Sequence, residues 1–310
     1  MWVSRSPTKL LEEIYVSRLE KLIKSEVESL GGPTKTCELL DVKYTHLKEW
    51  LSGRRPISIF LLKEILKLGR NKEKADKFIA TKNYYLSCRY SPHKIKFPKE
   101  ITKELAYIVG IILGDGTLKG EAGNKRGDWT IGAYFDNEEH CKLYVKYFNK
   151  VFETTPKYRL TKSCCLACSI ASKALFWFLQ KFFEIKNGYK HDSIIIPKLI
   201  EYQNEEVLSW FIQGLFDSDG TVIPSTKTIK LASTSQKIIQ QTKKHFDEFG
   251  IASNCYKWNK KGNFKTLHTL RVCSKKSIAT FANKIGFQHP IKKEKLKNLC
   301  NSISYDSPVF

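Results

Sequence analysis

Ile108-Val-Gly-Ile-Ile-Leu-Gly-Asp-Gly116 and Ile212-Gln-Gly-Leu-Phe-Asp-Ser-Asp-Gly220 decide how this sequence folds. Each closes an apolar run, which opens at Leu105 in the first copy and at Leu208 in the second. Small residues stand one helical turn apart in both, Gly110 with Gly114 and Gly214 with Ser218. At that spacing they share a helix face and let two backbones approach closely. The apolar residues between them mark both helices as core elements, and the closing Asp-Gly predicts a left-handed exit at Gly116 and Gly220. If the two helices pack in matching direction, Asp115 and Asp219 meet at one end. There they repel each other and face partly negative helix C-termini. Divalent cations on oxygen ligands would offset that cost, and a carboxylate pair with two metals suits in-line phosphodiester hydrolysis.

These stretches resemble the two motifs of a single-chain LAGLIDADG homing endonuclease. The resemblance covers residues 98–300, and the first copy is the looser, with Leu113-Gly114 where the family name has Asp-Ala. It implies an α+β fold of two pseudo-symmetric αββαββα repeats, residues 100–200 and 201–310, preceded by a small all-α domain. It implies Mg²⁺, with Mn²⁺ as a substitute, held by Asp115 and Asp219 with help from the Gly114 and Ser218 carbonyls. A residue in each half of such an enzyme orients the attacking water. By position that is Gln236 in the second half and Asn137 in the first. Lysines near the close of each half would assist, Lys190 (or Lys186) and Lys292 (or Lys293). Asp217 reads as a support for the turn rather than a metal ligand, and His245, His268 and His289 share no ligand spacing.

The composition points the same way. Lys and Arg outnumber Asp and Glu by 53 to 31, a net charge of +22 spread along the chain. Such a charge calls for a polyanionic partner and a salt-sensitive affinity. No apolar run is long enough to span a membrane, and Met1-Trp2-Val3-Ser4-Arg5 has no signal-peptide core. Nine cysteines without a secretory signal fit reduced thiols in an intracellular, cytoplasmic and nucleoid-associated protein. Cys165-Leu-Ala-Cys168 has no second Cys/His pair at zinc spacing and reads as thiol packing in a strand.

Ahead of the repeats, residues 1–70 carry helical apolar spacing only, with breaks at Gly31-Gly32-Pro33 and Ser52-Gly53-Arg54-Arg55-Pro56. Two short helices, Thr34–Leu40 and Tyr44–Leu51, face each other across a tight turn, and the set resembles a repressor-like helix-turn-helix domain. That resemblance offers Lys43, Tyr44, Thr45 and Lys48 to the major groove and sets Arg54 and Arg55 near phosphates. Residues 71–99 read as a linker, with one more helix over 75–86 and a basic, proline-bounded strap after it. Within each repeat, hairpins alternate with helices at a period of about a hundred residues, too long for a solenoid. One sheet face in each repeat should carry polar and basic residues, among them Thr117, Lys119, Thr221, Lys227, Thr228 and Lys230. A twisted β-ribbon of that kind fits the major groove.

The leading function is therefore a metal-dependent, monomeric endonuclease that makes a double-strand break in DNA at a long asymmetric target. A transcriptional regulator on the same scaffold is one alternative, and a splicing maturase acting on intron RNA another. The ends of the chain lack a nucleophilic Cys or Ser and a His-Asn pair, which argues for a free-standing product of an intron or mobile element rather than an intein.

Overall fold

Strands join the helices in the N-terminal segment, where helices alone are expected. The structure, a computed structural model, describes residues 14–17, 19–69, 85–88, 94–120, 129–188, 191–259 and 265–305. It divides into two compact units: Met1–Lys99 with Phe152–Thr154 and Ala171–Trp177, and Glu100–Val151 with Thr155–Ile170 and Phe178–Phe310.

In the first unit, β1 (Ile14–Ser17) precedes helices α1 (Glu20–Ser29), α2 (Pro33–Leu40) and α3 (Tyr44–Leu51). Then follow β2 (Ile57–Ser58), α4 (Ile59–Leu68), β3 (Tyr85–Cys88) and β4 (Ile95–Lys96). The four strands form one antiparallel sheet in the order β2-β1-β3-β4. Ile14-Tyr15-Val16 is a β-branched and aromatic run that suits a strand, and its partner β3 lies some seventy residues on, beyond the reach of local periodicity. The helix expected over 75–86 falls mostly outside the described residues, and its last two, Tyr85 and Leu86, belong to β3. The paired short helices are as expected. Asp41, left-handed at φ 50°, turns the chain between α2 and α3, a conformation its short polar side chain tolerates. Leu47 and Trp50 bury one face of α3, and Tyr44, Thr45 and Lys48 are exposed on the other.

Most of the duplication lies in the second unit. Its first half runs α5 (Lys103–Leu113), β5 (Gly116–Lys119), β6 (Thr130–Phe135), α6 (Glu138–Phe152), β7 (Lys157–Leu160), β8 (Leu166–Ala171) and α7 (Lys173–Phe182). A short helix α8 (Lys198–Glu201) leads into the second half. There α9 (Glu205–Asp219), β9 (Gly220–Ile223), β10 (Thr228–Ser233), α10 (Gln236–Glu248), β11 (Asn254–Trp258), β12 (Leu267–Val272) and α11 (Lys275–Lys284) repeat the order. A last helix, α12 (Pro290–Tyr305), closes the described residues. The two sheets have one strand order, β5-β6-β8-β7 and β9-β10-β12-β11.

Each motif helix starts at a side-chain cap, Thr102 accepting from the Leu105 N–H and Asn204 from that of Val207. The two helices then pack backbone on backbone. A Cβ added at Gly110 would come 2.3 Å from the Phe211 carbonyl oxygen, and one at Gly214 would come 2.4 Å from that of Tyr107. One at Gly114 would stand 2.3 Å from Ser218 Cβ. The small residues thus act as their spacing predicts.

The closing glycines do not. Gly220 is extended, at φ −88° and ψ 159°, and Gly116 is not among the residues with positive φ. β9 starts directly at the end of α9 and β5 after the turn Gly114-Asp115, each with its glycine pressed on its own helix. A Cβ at Gly116 would meet Ile112 Cα at 2.4 Å, and one at Gly220 the Phe216 carbonyl oxygen at 2.5 Å. Space, not handedness, requires glycine at both junctions.

Gly110→Ala or Gly214→Ala should force the helices apart and lower stability by about 3 kcal/mol or more, the upper range for overpacking. Urea unfolding of each variant beside Gly132→Ala, whose Cβ would meet no atom closer than 3.2 Å, checks this. Equal midpoints for all three would contradict the close crossing.

Candidate active site

The crossing carries Asp115 and Asp219 to the same end of the helix pair. Asp115 lies just past the Gly114 cap of α5 and is exposed, while Asp219 is the last residue of α9 and half-exposed. An Asp219 carboxylate oxygen lies 3.4 Å from where a Gly114 Cβ would be, so one repeat's acid reaches the other repeat's helix end.

Lys292, from α12, lies beneath them. Its Nζ donates to the carbonyls of Phe216 at 3.2 Å, Asp217 at 2.6 Å and Ser218 at 3.0 Å. An ammonium there satisfies the last carbonyls of α9 and opposes the negative end of its dipole. Burial lowers the Lys292 pKa, and the charges of Asp217, Asp115, Asp136 and Asp219 resist that shift. The chain itself therefore supplies part of the positive charge that the paired acids demand.

Asp217 ties the repeats together. Its Oδ2 accepts from the Tyr107 hydroxyl of α5 at 2.7 Å and from the Gln288 N–H at 3.0 Å, and its Oδ1 accepts from the His289 N–H at 3.2 Å. The Tyr107 oxygen is also 2.7 Å from His140 Nε2 on α6. Because the tyrosine proton goes to Asp217, His140 donates from Nε2. The His140 ring lies 4.9 Å from that of His289, whose Nε2 is 2.8 Å from an Asp136 carboxylate oxygen. Burial raises the Asp217 pKa to about 6 against the hydrogen bonds from Tyr107, His289 and Gln288. Burial, with the nearby charges of His289 and Lys292, lowers His140 to about 3. Burial would raise Asp136 too, but its bond to His289 and that ring's charge prevail and hold it below the usual carboxylate range. A cavity of about 210 Å³ opens here, lined by Asp115, Tyr134, Asp136, His140, Ser218 and Lys292 among others.

Among the described residues no three His, Cys, Asp or Glu side chains cluster as a metal cage. Two carboxylates with hard oxygens instead fit an ion such as Mg²⁺, which keeps waters and takes substrate phosphate oxygens. Asp115 and Asp219 would hold it. The Ser218 carbonyl, expected to help, already accepts from Lys292.

The other expected site residues divide. Lys292 stands beside the acids, though all its donors go to the backbone. Asn137 caps α6, its Oδ1 accepting from the His140 N–H at 3.0 Å, and the neighbouring Asp136 faces the cavity in its stead. Gln236 is exposed at the start of α10, away from the cavity lining, and Lys186 and Lys293 are also exposed. Lys190 lies outside the described residues. Thr117 and Lys119 face Gly132 and Thr130 across β5 and β6, and Thr221 faces Lys230 across β9 and β10. Thr228 is buried, its hydroxyl donating to the Thr226 carbonyl at 2.9 Å. Lys227 sits in the turn at φ 46°, off the strand. Lys43, Arg54 and Arg55 are exposed, Arg55 bonding Glu49 at 3.4 Å. Reading the sequence missed Asp136, His140 and Tyr107. A strand followed by Asp-Asn was the available signal, since only the second residue of that pair is needed to cap the helix.

A two-repeat α+β scaffold with one acid from each repeat at a glycine-mediated crossing defines the class. Residues 206–286 match the family model of the LAGLIDADG-like domain, and the same order of elements occurs once before them, from α5 to α7. It is 27% identical to the glutamine–fructose-6-phosphate aminotransferase of Methanocaldococcus jannaschii over 94% of this chain and 26% of that protein. With the probable translation initiation factor IF-2 of the same organism the identity is 25%, over 96% of this chain and 25% of that protein. With its helicase Hel308 it is 28%, over 79% and 20%. The chain thus spans about a quarter or less of the length of these curated relatives. Among solved structures, the homing endonuclease I-DmoI with DNA and Mn is 15% identical at TM-score 0.46, covering 60% of this chain and 97% of that one. Full-length WhiA from Thermatoga maritima is 15% identical at TM-score 0.45, covering 67% and 62%. No helix among the described residues is long and apolar enough to cross a membrane.

A raised acid pKa favours the folded state below the unfolded pKa and loses that contribution as pH rises through the folded value. From about 4 to about 6, Asp217 should therefore cost the protein on the order of 3 kcal/mol. His140, lowered to about 3, works in the opposite sense, its contribution being lost as pH falls from about 6.5. Asp217→Asn isolates the first effect. In metal-free buffer, its stability relative to the parent should improve by that amount between pH 4 and pH 7. Parallel urea-unfolding curves across that range would contradict it.

Proposed function

We propose that the chain is a site-specific endonuclease that hydrolyses both strands of duplex DNA with Mg²⁺ or Mn²⁺. The observation that carries this reading is the pair of acids, Asp115 and Asp219, brought from two repeats to one end of a close helix crossing above a half-buried lysine, Lys292. Bound there, the cation would activate water and relieve charge on the leaving oxygen. The chain's own residues do the rest. Asp115 and Asp219 would supply the oxygens that hold the cation. Lys292 fixes the end of α9 and keeps positive charge beneath both acids. Asp136, held ionised by His289, faces the same cavity and orients water there.

The target is DNA because the charge of +22 calls for a polyanion and a sheet in each repeat presents strand residues of a kind that fit the major groove. Two halves of different sequence read two different half-sites, so the target is asymmetric. The exposed face of α3, with Tyr44, Thr45 and Lys48, adds contacts beyond it.

The relatives bear on how the gene is carried. An aminotransferase, a translation initiation factor and a helicase share no activity, yet each resembles most of this chain along a small part of its own length. A segment common to such proteins does not carry their activities. It supports a mobile element that enters unrelated genes, and that includes insertion within a host protein.

The test is incubation of the purified protein with a randomised duplex library at low salt, with and without Mg²⁺. Metal-dependent double-strand breaks at one sequence are expected. Asp115→Asn or Asp219→Asn should slow cleavage about a thousandfold, several kcal/mol of transition-state stabilisation, while binding in Ca²⁺ changes little. Binding without breaks would favour a regulator, and preference for folded intron RNA a maturase.

A further inference from the structure

The two sheets present their outer strands differently. On the second, β11 and β12 pair Asn254 with Arg271, Tyr256 with Thr269 and Trp258 with Leu267, so these side chains share one face. Lys230 on β10 continues the row beside Arg271. On the first sheet the corresponding strand β7 sets Lys157 and Arg159 opposite Ser169 and Ala167. One repeat thus offers charge over small residues where the other offers aromatic rings.

Those rings line a hollow of about 420 Å³ with Leu267, Thr269, Arg271 and Lys230, and among the described residues no carboxylate lines it. Trp258 is 64% exposed and Tyr256 49%, a large apolar area to leave in water. The Arg271 guanidinium lies over the Tyr256 ring, 4.8 Å from its centroid. Its Nε is buried and has no hydrogen-bond partner among the described residues. Buried donors without acceptors are rare in folded proteins, and stacking on a ring fixes the plane of the guanidinium fork. The face is therefore preorganised for a ligand with paired acceptors beside an apolar group, in basic surroundings. The major-groove edge of DNA has both, in guanine O6 with N7 and in the thymine methyl.

We propose that this hollow reads a defined base step in the second half-site, with Arg271 bonding a guanine in two places and Trp258 with Leu267 covering a thymine methyl. The inference rests on the DNA-binding reading above and adds the residues and the bases.

The test uses the duplex that the parent protein selects from a randomised library in Ca²⁺ at low salt, with affinity followed by fluorescence anisotropy. Each thymine is replaced in turn by deoxyuridine, which lacks only the methyl, and each guanine by 7-deazaguanine, which lacks N7. At one thymine the exchange should weaken binding about fourfold, the worth of one buried methyl. At a neighbouring guanine it should weaken binding about tenfold. Trp258→Ala should abolish the first effect and Arg271→Lys the second, while Lys157→Ala in the first repeat leaves both. Because the base analogues act on the unaltered protein, the result does not depend on how a variant folds. Selective binding with every analogue neutral would overturn this inference and leave the endonuclease reading standing. Failure to select any duplex would remove both. Self-association of the parent that Trp258→Ala abolishes would assign the rings to a second copy of the chain and overturn the inference as well.

Discussion

Two helices that touch through their main chains set the terms for everything else in the second unit. Gly110, Gly114, Gly214 and Ser218 leave no side-chain layer between α5 and α9, so the carbonyls of one meet the backbone of the other. At the opposite ends of the pair, Lys103 bonds Glu206 at 3.0 Å and lies over the Trp210 ring. In the second repeat the helix runs straight into its first strand at Gly220, and in the first only the turn Gly114-Asp115 intervenes before Gly116. The position of both acids is therefore fixed by helix packing, not by a loop conformation, and fixed packing is what a preorganised site requires.

That arrangement creates an electrostatic conflict, because carboxylates gather where helix dipoles are already negative. The fold answers it with polar groups from distant parts of the chain. Lys292 gathers three α9 carbonyls, and Asp217 bonds Tyr107 and two N–H groups of the segment that precedes α12. His140 and His289 join that network to Asp136. A buried set of this kind stabilises only when its members are all satisfied. Here the same groups that hold the two repeats together also shape the wall of the cavity.

Most of the architecture was legible in the residues. Helical spacing of small residues, alternation in the strands and the recurrence of Asp-Gly yielded both repeats, with β11, α3 and α6 at their observed bounds. The strands β1 and β3 were not legible, because their pairing partners lie far along the chain while their local apolar content also suits a helix. The left-handed exit at Gly116 and Gly220 was misread for a different reason. Glycine marks close approach as well as positive φ, and a sequence does not distinguish the two. In the site, Asp115 and Asp219 could be found from repetition alone. Asp136 had only the weak signal of the Asp-Asn pair before α6, whose second residue is the cap, and His140 and Tyr107 acquire their roles only through tertiary contact.

The lysine that closes the acidic end is contributed by the last helix described, more than seventy residues after the second motif. A ribosome must pass Lys292, more than seventy residues beyond the second acid, before the carbonyls at the end of α9 receive their cation. The two carboxylates are thus synthesised well ahead of the group that balances them, and a nascent or prematurely terminated product holds them without it. Synthesis of α12 becomes a condition for a fully assembled centre, a timing control that comes from connectivity alone.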